Sequence, residues 1–282
     1  LSNSTVSLTA DGYRGDGPSA RGDRKLAFLS GGSTAFGYYA SNNDQTIPAW
    51  LNREQSTYHF VNAGVPSFNS NQELFRVIND ILPESPKLLI NLNGANDFAI
   101  PFDNYFSRGV VYPAGVPESY HNLHSLVENI RAKKKRIRTY SDQILHTSYT
   151  FFPRASKFFR AQFGFEKSKW HNILIQWSTK KNDNIPHVIK TAASKYIYNM
   201  GVVSNLCKHY GCDHVTVFQP MAILHEPDGV HFRSSESEYV EDRRGLAQLF
   251  REAVFSGIPK DERFLDFSRV FDRIAETEVF LD

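Results

Sequence analysis

The sequence predicts an α/β fold, a three-layer α/β/α sandwich in which helices cover both faces of a mainly parallel five-stranded sheet, with one helical insertion. Three observations carry this. Short apolar runs alternate with amphipathic helical stretches, the rhythm of a buried parallel sheet. Each of the first three runs ends in a small, glycine-bearing turn, where a strand hands over to a helix. The chain has 282 residues, 41% hydrophobic and 13% aromatic, enough to bury one large core.

The elements follow in order. Residues 1–24 read as an extended lead-in rich in Gly, Ser and Asp, and its two Arg-Gly-Asp triplets, at Arg14 and Arg21, are chance products of that composition. The run Leu26-Ala27-Phe28-Leu29 enters Gly31-Gly32-Ser33-Thr34, a strand, a tight turn and a helix start. That helix is expected to continue through 47–51, with Pro48 opening a new helical start. Residues 58–62 form the next strand, ended by Ala63-Gly64-Val65-Pro66. A helix over 72–82 places Leu74, Phe75, Ile78, Ile81 and Leu82 at helical spacing, and Pro83 and Pro86 stop it. Residues 87–93 form the third strand, finishing at Gly94-Ala95-Asn96-Asp97.

The alternation then breaks. Residues 98–186 are too long for an ordinary connection and read as an inserted helical, basic cap within a single 1–282 domain. Between Arg131 and Lys181 there are 13 Lys and Arg against Asp142 and Glu166. Such a segment is either a solvated face or a contact for an anionic surface. Regularity resumes with a helix over 187–209 ended at Gly211, a strand over 214–220, a helix over 235–255 and a short strand over 263–267. No internal repeat is present.

Composition also excludes function classes. The net charge of +2 argues against a general nucleic-acid binder. No apolar run is long enough for a transmembrane helix. The two cysteines, Cys207 and Cys212, cannot build a structural zinc site, and either pair locally or stay as buried thiols. No metal or cofactor is called for. The polar opening without Met suggests a processed N-terminus and an extracytoplasmic location, and Asn3-Ser4-Thr5 fits a glycosylation acceptor that chance alone often produces.

Function converges on three strand ends. In an open parallel sheet the ligand sits beyond the carboxyl ends of the strands. Ser33, Gly64 and Asn96 stand there, and each has a use in ester hydrolysis. Ser33 is the candidate nucleophile; its own N–H, the Gly64 N–H and the Asn96 side-chain amide are candidate oxyanion donors. The turn lacks the spacing of a phosphate loop, of a dinucleotide fingerprint and of a Gly-x-Ser-x-Gly elbow.

Gly31-Gly32-Ser33, Asn62-Ala63-Gly64 and Gly94-Ala95-Asn96-Asp97, in that order, resemble the motif blocks of the SGNH (GDSL-like) hydrolases, in their bacterial secreted or membrane-anchored branch. The lead-in Gly12-Tyr13-Arg14-Gly15 and Gln219-Pro220 add to the likeness, which covers most of the chain outside 98–186. Gly32 stands where the family name has Asp. The resemblance implies a flavodoxin-like SGNH hydrolase fold, a serine nucleophile and a final Asp-x-x-His block supplying base and orienting acid. The one such spacing here, Asp228-Gly229-Val230-His231, comes directly after the fourth strand and too early. The run-up 263–271 and then Val279-Phe280-Leu281-Asp282 match better. Asp282 is therefore read as the orienting aspartate, with the histidine expected three positions on.

The resulting expectation is a serine esterase for acetyl or other short-chain O-acyl esters, with a small acyl ester or acylated carbohydrate as substrate. Two alternatives use the same scaffold: a non-catalytic module binding an anionic glycan or lipid through 131–181, and an O-acyltransferase.

Overall fold

The computed structural model describes residues 6–108, 185–225, 234–260 and 262–272. Five strands, β1 (Lys25–Gly31), β2 (Tyr58–Gly64), β3 (Leu88–Asn93), β4 (Asp213–Phe218) and β5 (Phe264–Asp266), form one sheet in the order β2-β1-β3-β4-β5. All four pairings are parallel. This is the flavodoxin-like doubly wound order. β1 is buried at every position after Lys25, as a strand covered on both faces must be.

The register sorts the two faces. Leu29, Ile90 and Val215 lie in one row across β1, β3 and β4, with Leu92 and Val217 in the next row on that face. Leu29, Leu92 and Val217 form a buried cluster with Ala35. Phe28, Asn91 and Thr216 fall on the opposite face, because successive side chains alternate. There Tyr13 packs on Phe28 with ring centroids 5.5 Å apart, and Phe218 meets Tyr196 at 6.1 Å and Phe250 at 6.2 Å.

The helical layers contain α1 (Ser33–Phe36), α2 (Ile47–Glu54), α3 (Ser70–Arg76), α4 (Ala95–Arg108), α5 (Ile185–His209) and α6 (Ser234–Gly257). The helix expected to run on from Ser33 is instead a single turn. Gly37 takes a left-handed conformation (φ 75°), and its N–H caps the Ser33 and Thr34 carbonyls. A fresh start follows at α2, where Thr46 Oγ1 accepts the Ala49 N–H and Pro48 occupies the first turn.

The predicted 72–82 helix also differs. α3 begins at Ser70 under an Asn69–Gln72 capping box, then widens into a π-turn over Val77–Ile81. Glu73, Val77 and Ile81 form its buried stripe, while Phe75 and Ile78 are exposed, at 67% and 44%. A spacing rule that counts only apolar residues gives Glu73 no place on a buried face, and so it shifts the stripe.

Cys207 and Cys212 are two buried free thiols. Arg14 is buried too, so the first Arg-Gly-Asp triplet is not displayed as a ligand. No helix among the described residues is long and apolar enough to cross a membrane. Most of the 98–186 insertion, including all of 131–181, lies outside the described residues.

Candidate active site

The strand order reverses at β1: its outer neighbour β2 follows it in sequence, and the chain then crosses back to β3 on the other side. The switch point therefore lies between the paired carboxyl ends of β1 and β3, and such a point is where open sheets bind ligands. Ser33 stands two residues after the end of β1, and Asn96 is the second residue of α4, three after the end of β3.

Ser33 is the first residue of α1 and Gly32 is its N-cap. With only one turn, α1 carries little macrodipole, so the free backbone N–H of Ser33 is its polar contribution. Gly32 is a glycine for space. A Cβ there would sit 2.7 Å from Asn96 Nδ2 and 3.2 Å from the Phe68 oxygen. Its absence lets the Asn96 amide lie against the backbone of the Gly32–Ser33 turn. Asn96 Nδ2 donates one hydrogen to the Phe68 carbonyl at 2.7 Å, which holds the amide in place and leaves its second hydrogen for another acceptor.

The structure uses the Gly64 N–H differently from the sequence reading. It donates to Asn62 Oδ1 at 3.1 Å, and a Cβ on Gly64 would fall 2.2 Å from the Phe36 nitrogen. Gly64 is thus the floor on which α1 rests, with its N–H engaged in a local Asx turn. Asn62 completes the support by donating Nδ2 to the Phe36 carbonyl at 3.1 Å.

Two buried side chains hold α1, one at its far end and one near its start. Arg14 donates Nη1 to the Phe36 and Gly37 carbonyls at 3.1 and 2.5 Å, Nη2 to the Ala40 carbonyl at 3.5 Å, and Nε to Asn43 Oδ1 at 3.1 Å. Gln219, just past β4, donates to Thr34 Oγ1 at 3.1 Å. Sequence reading noted Gly12-Tyr13-Arg14-Gly15 and Gln219-Pro220 only as parts of a resemblance. Nothing local in either stretch states that its side chain reaches α1.

Behind Asn96 lies a buried polar cluster that the sequence reading missed. Asp97 accepts the Ser70 hydroxyl at 2.5 Å and the Ser70 N–H at 3.1 Å, and Asn199 Nδ2 donates to the same hydroxyl at 2.8 Å. Glu73 Oε2 accepts from Asn91 and Asn93 Nδ2 at 3.1 and 2.5 Å. Tyr196 donates its hydroxyl to Asn93 Oδ1 at 2.7 Å, and His214 Nε2 meets Asn91 Oδ1 at 3.0 Å. The only signals were an acid among apolar helix positions and the Asn91-x-Asn93 alternation, which puts two amides on one strand face.

Burial dominates this cluster's electrostatics. Desolvation, then the neighbouring Asp97, push Glu73 up to about 8. Desolvation against the Ser70 hydrogen bonds leaves Asp97 at about 7. Desolvation lowers His214 to about 4, which keeps the imidazole neutral. The folded state therefore holds protons on Glu73 and Asp97 that the unfolded chain releases near pH 4. The contribution of these two carboxyls to stability is fully present below that pH and is lost as pH rises through 7 to 8. Glu73→Gln, which keeps an acceptor for Asn91 and Asn93, should stabilise the protein by roughly 3 kcal/mol at pH 9 and change little at pH 4. Urea unfolding at the two pH values checks this, and an equal effect at both would contradict it.

A cavity of about 900 Å³ opens beside Ser33, walled by Leu29, Leu92, Phe98, Val217 and Met221. Asp228, His231 and Asp282 lie outside the described residues. His225, buried close to this wall, has both ring nitrogens engaged: Nδ1 with the Met221 carbonyl at 2.8 Å and Nε2 with the Phe271 N–H at 3.1 Å. Among the described residues no group of three or more His, Cys, Asp or Glu is placed to hold a metal ion.

No protein-family model matches the chain, and no curated protein matches it in sequence. Solved structures do resemble it. A GDSL-like lipase from Bacteroides thetaiotaomicron is 11% identical over 86% of this chain and 68% of its own, with a TM-score of 0.37. The acetyl xylan esterase AlAXEase is 11% identical over 88% of this chain and 79% of its own, at 0.37. An acetylxylan esterase from Geobacillus stearothermophilus, a catalytic mutant, is 8% identical over 88% and 78%, at 0.39. Likenesses this low carry no function across, and the site residues of this chain have to decide it.

Proposed function

We propose that this chain is a serine esterase of the SGNH type that cleaves O-acyl esters. One observation carries the reading: the Ser33 turn and the Asn96 amide meet at the switch point, with Gly32 trimmed to admit the amide and the Phe68 carbonyl orienting it. A hydrogen-bond donor held beside a serine is what a developing oxyanion needs.

In the proposed reaction the Ser33 hydroxyl oxygen attacks the ester carbonyl carbon while its proton passes to a general base. The carbonyl oxygen becomes an oxyanion that accepts hydrogen bonds from the Ser33 N–H and Asn96 Nδ2. Collapse expels the alcohol, which takes up the proton, and water then releases the acid from the acyl-enzyme by the same steps. The base proposed is a histidine oriented by Asp282. The apolar wall of Leu29, Leu92 and Val217 accommodates the uncharged part of a small acyl ester, an acetylated carbohydrate included.

The test is covalent labelling of the full chain with a fluorophosphonate, followed by peptide mapping. The expected result is a single adduct on Ser33. An adduct on another serine, with Ser33 unmodified, overturns the assignment.

A further inference from the structure

The cavity beside Ser33 is far larger than an acetyl group requires. It measures about 900 Å³, near the upper end of the roughly 300–1,000 Å³ that enclose whole drug-sized ligands. Its floor is one face of the sheet. Leu29 of β1 pairs with Ile90 of β3, and Gly31 pairs with Leu92 in the row nearer the carboxyl ends. Val217 of β4 continues the Leu92 row. Leu29, Ile90, Leu92 and Val217 all line the cavity together with Ser33. The cavity therefore runs from the serine back along the strands to the level of Leu29. That distance is at most about 13 Å, at a strand rise of about 3.3 Å per residue.

The polar groups on the walls are engaged with one another. Thr34 Oγ1 accepts from Gln219 Nε2 at 3.1 Å. Thr46 Oγ1 donates to the Asn43 carbonyl at 2.8 Å and accepts the Ala49 N–H at 3.4 Å. Among the described residues Arg243 is the one charged side chain that lines the cavity. A sugar laid along the floor would lose the water on its hydroxyls and meet four aliphatic side chains, which is unfavourable for every hydroxyl buried. A methylene chain is stabilised by the same burial.

We infer that this cavity holds the acyl chain of the substrate, and that the preferred acyl group is a straight chain of about eight to ten carbons, not acetyl. With C–C bonds near 1.5 Å an extended chain advances about 1.25 Å per carbon, so eight to ten carbons span about 10–13 Å. The acyl group stays on Ser33 from attack to deacylation, whereas the alcohol leaves after the first step. The cavity that adjoins the serine therefore belongs to the acyl side. This rests on the esterase reading and names the substrate class within it.

The test is a chain-length series on the full chain. kcat/KM is measured with p-nitrophenyl acetate, butyrate, hexanoate, octanoate and decanoate, each below its micelle concentration, and with ethyl and octyl acetate. From acetate to octanoate it should rise roughly two- to fourfold per methylene, fourfold corresponding to the ~0.8 kcal/mol of a fully buried methylene. Ala99→Phe and Ile223→Trp add bulk at two lining positions. Each should cut the octanoate-to-acetate ratio by about tenfold or more. The ratio is taken on one preparation, so it does not depend on how much of a variant folds. Three results overturn the inference and leave the esterase reading standing, with Ser33→Ala inert. They are a series that is flat or falls from acetate to octanoate, a ratio unmoved in both variants, and a gain from ethyl to octyl acetate as steep as that from acetate to octanoate. A parent that hydrolyses none of these esters, or a Ser33→Ala form as fast as the parent, overturns the esterase reading, and the acyl assignment falls with it.

Discussion

Ser33→Ala is expected to lower kcat for p-nitrophenyl acetate by about 10⁴-fold or more, with the fold and thermal midpoint intact. The alanine removes only the hydroxyl that would form the acyl-enzyme, and serine hydrolases that lose their nucleophile keep little beyond what the oxyanion hole and binding supply. Ser33 sits in a one-turn helix closed at Gly37 and supported by Gly64, and none of these contacts involves its hydroxyl. Stability should therefore change by less than about 0.5 kcal/mol. Asn96→Ala is the companion variant. It removes one donor and should cost about 10²–10³ in kcat, mostly without raising KM, because the bond strengthens as charge develops on the oxygen. Steady-state kinetics on the two variants, with fluorophosphonate labelling as a second readout, checks both. A Ser33→Ala protein within tenfold of the parent would end the esterase reading.

Arg14→Met should be the most destabilising single change among the residues around the site, at about 3–5 kcal/mol. Arg14 is 3% exposed, and its guanidinium donates to three main-chain carbonyls and one side-chain oxygen. Methionine matches its volume but leaves the Phe36, Gly37 and Ala40 carbonyls without that donor, each at about 1–3 kcal/mol if water does not reach it. The guanidinium also stacks on the Phe36 ring, with Cζ 4.9 Å from its centroid. Because those carbonyls close the helix that begins at Ser33, kcat should fall together with stability. Arg14→Lys should recover only part of both, since an ammonium cannot span the fork. Urea unfolding and kcat on the same preparations decide the matter. A loss under about 1 kcal/mol in Arg14→Met would mean that α1 holds itself.

Asn62 shows why a strand-end motif read from sequence can name the right place and the wrong atom. Asn62-Ala63-Gly64 marks the carboxyl end of β2, and the strand does end there. The role of the Gly64 N–H depends on the side chain two residues before it, whose oxygen accepts that N–H while its amide reaches the Phe36 carbonyl.

Glu73 and Asp97 follow the same pattern. Glu73 stands among the apolar positions of a helical segment and Asp97 closes a strand-end motif, and neither shows in sequence that Ser70, Asn91, Asn93 and Asn199 will gather there. Those partners come from α3, β3 and α5, with Ser70 and Asn199 separated by 129 positions.

By itself the sequence determined the five parallel strands, the helices that follow them and the small-residue turns at three strand ends. Buried strands are contiguous apolar runs, turns are glycines and prolines, and both are written locally. Only the tertiary structure decided how Arg14 and Asn62 hold the Ser33 turn and where two carboxyl groups keep their protons. Those outcomes depend on which donors and acceptors distant in sequence meet away from water, as Arg14 and the Ala40 carbonyl or Asp97 and Ser70 do.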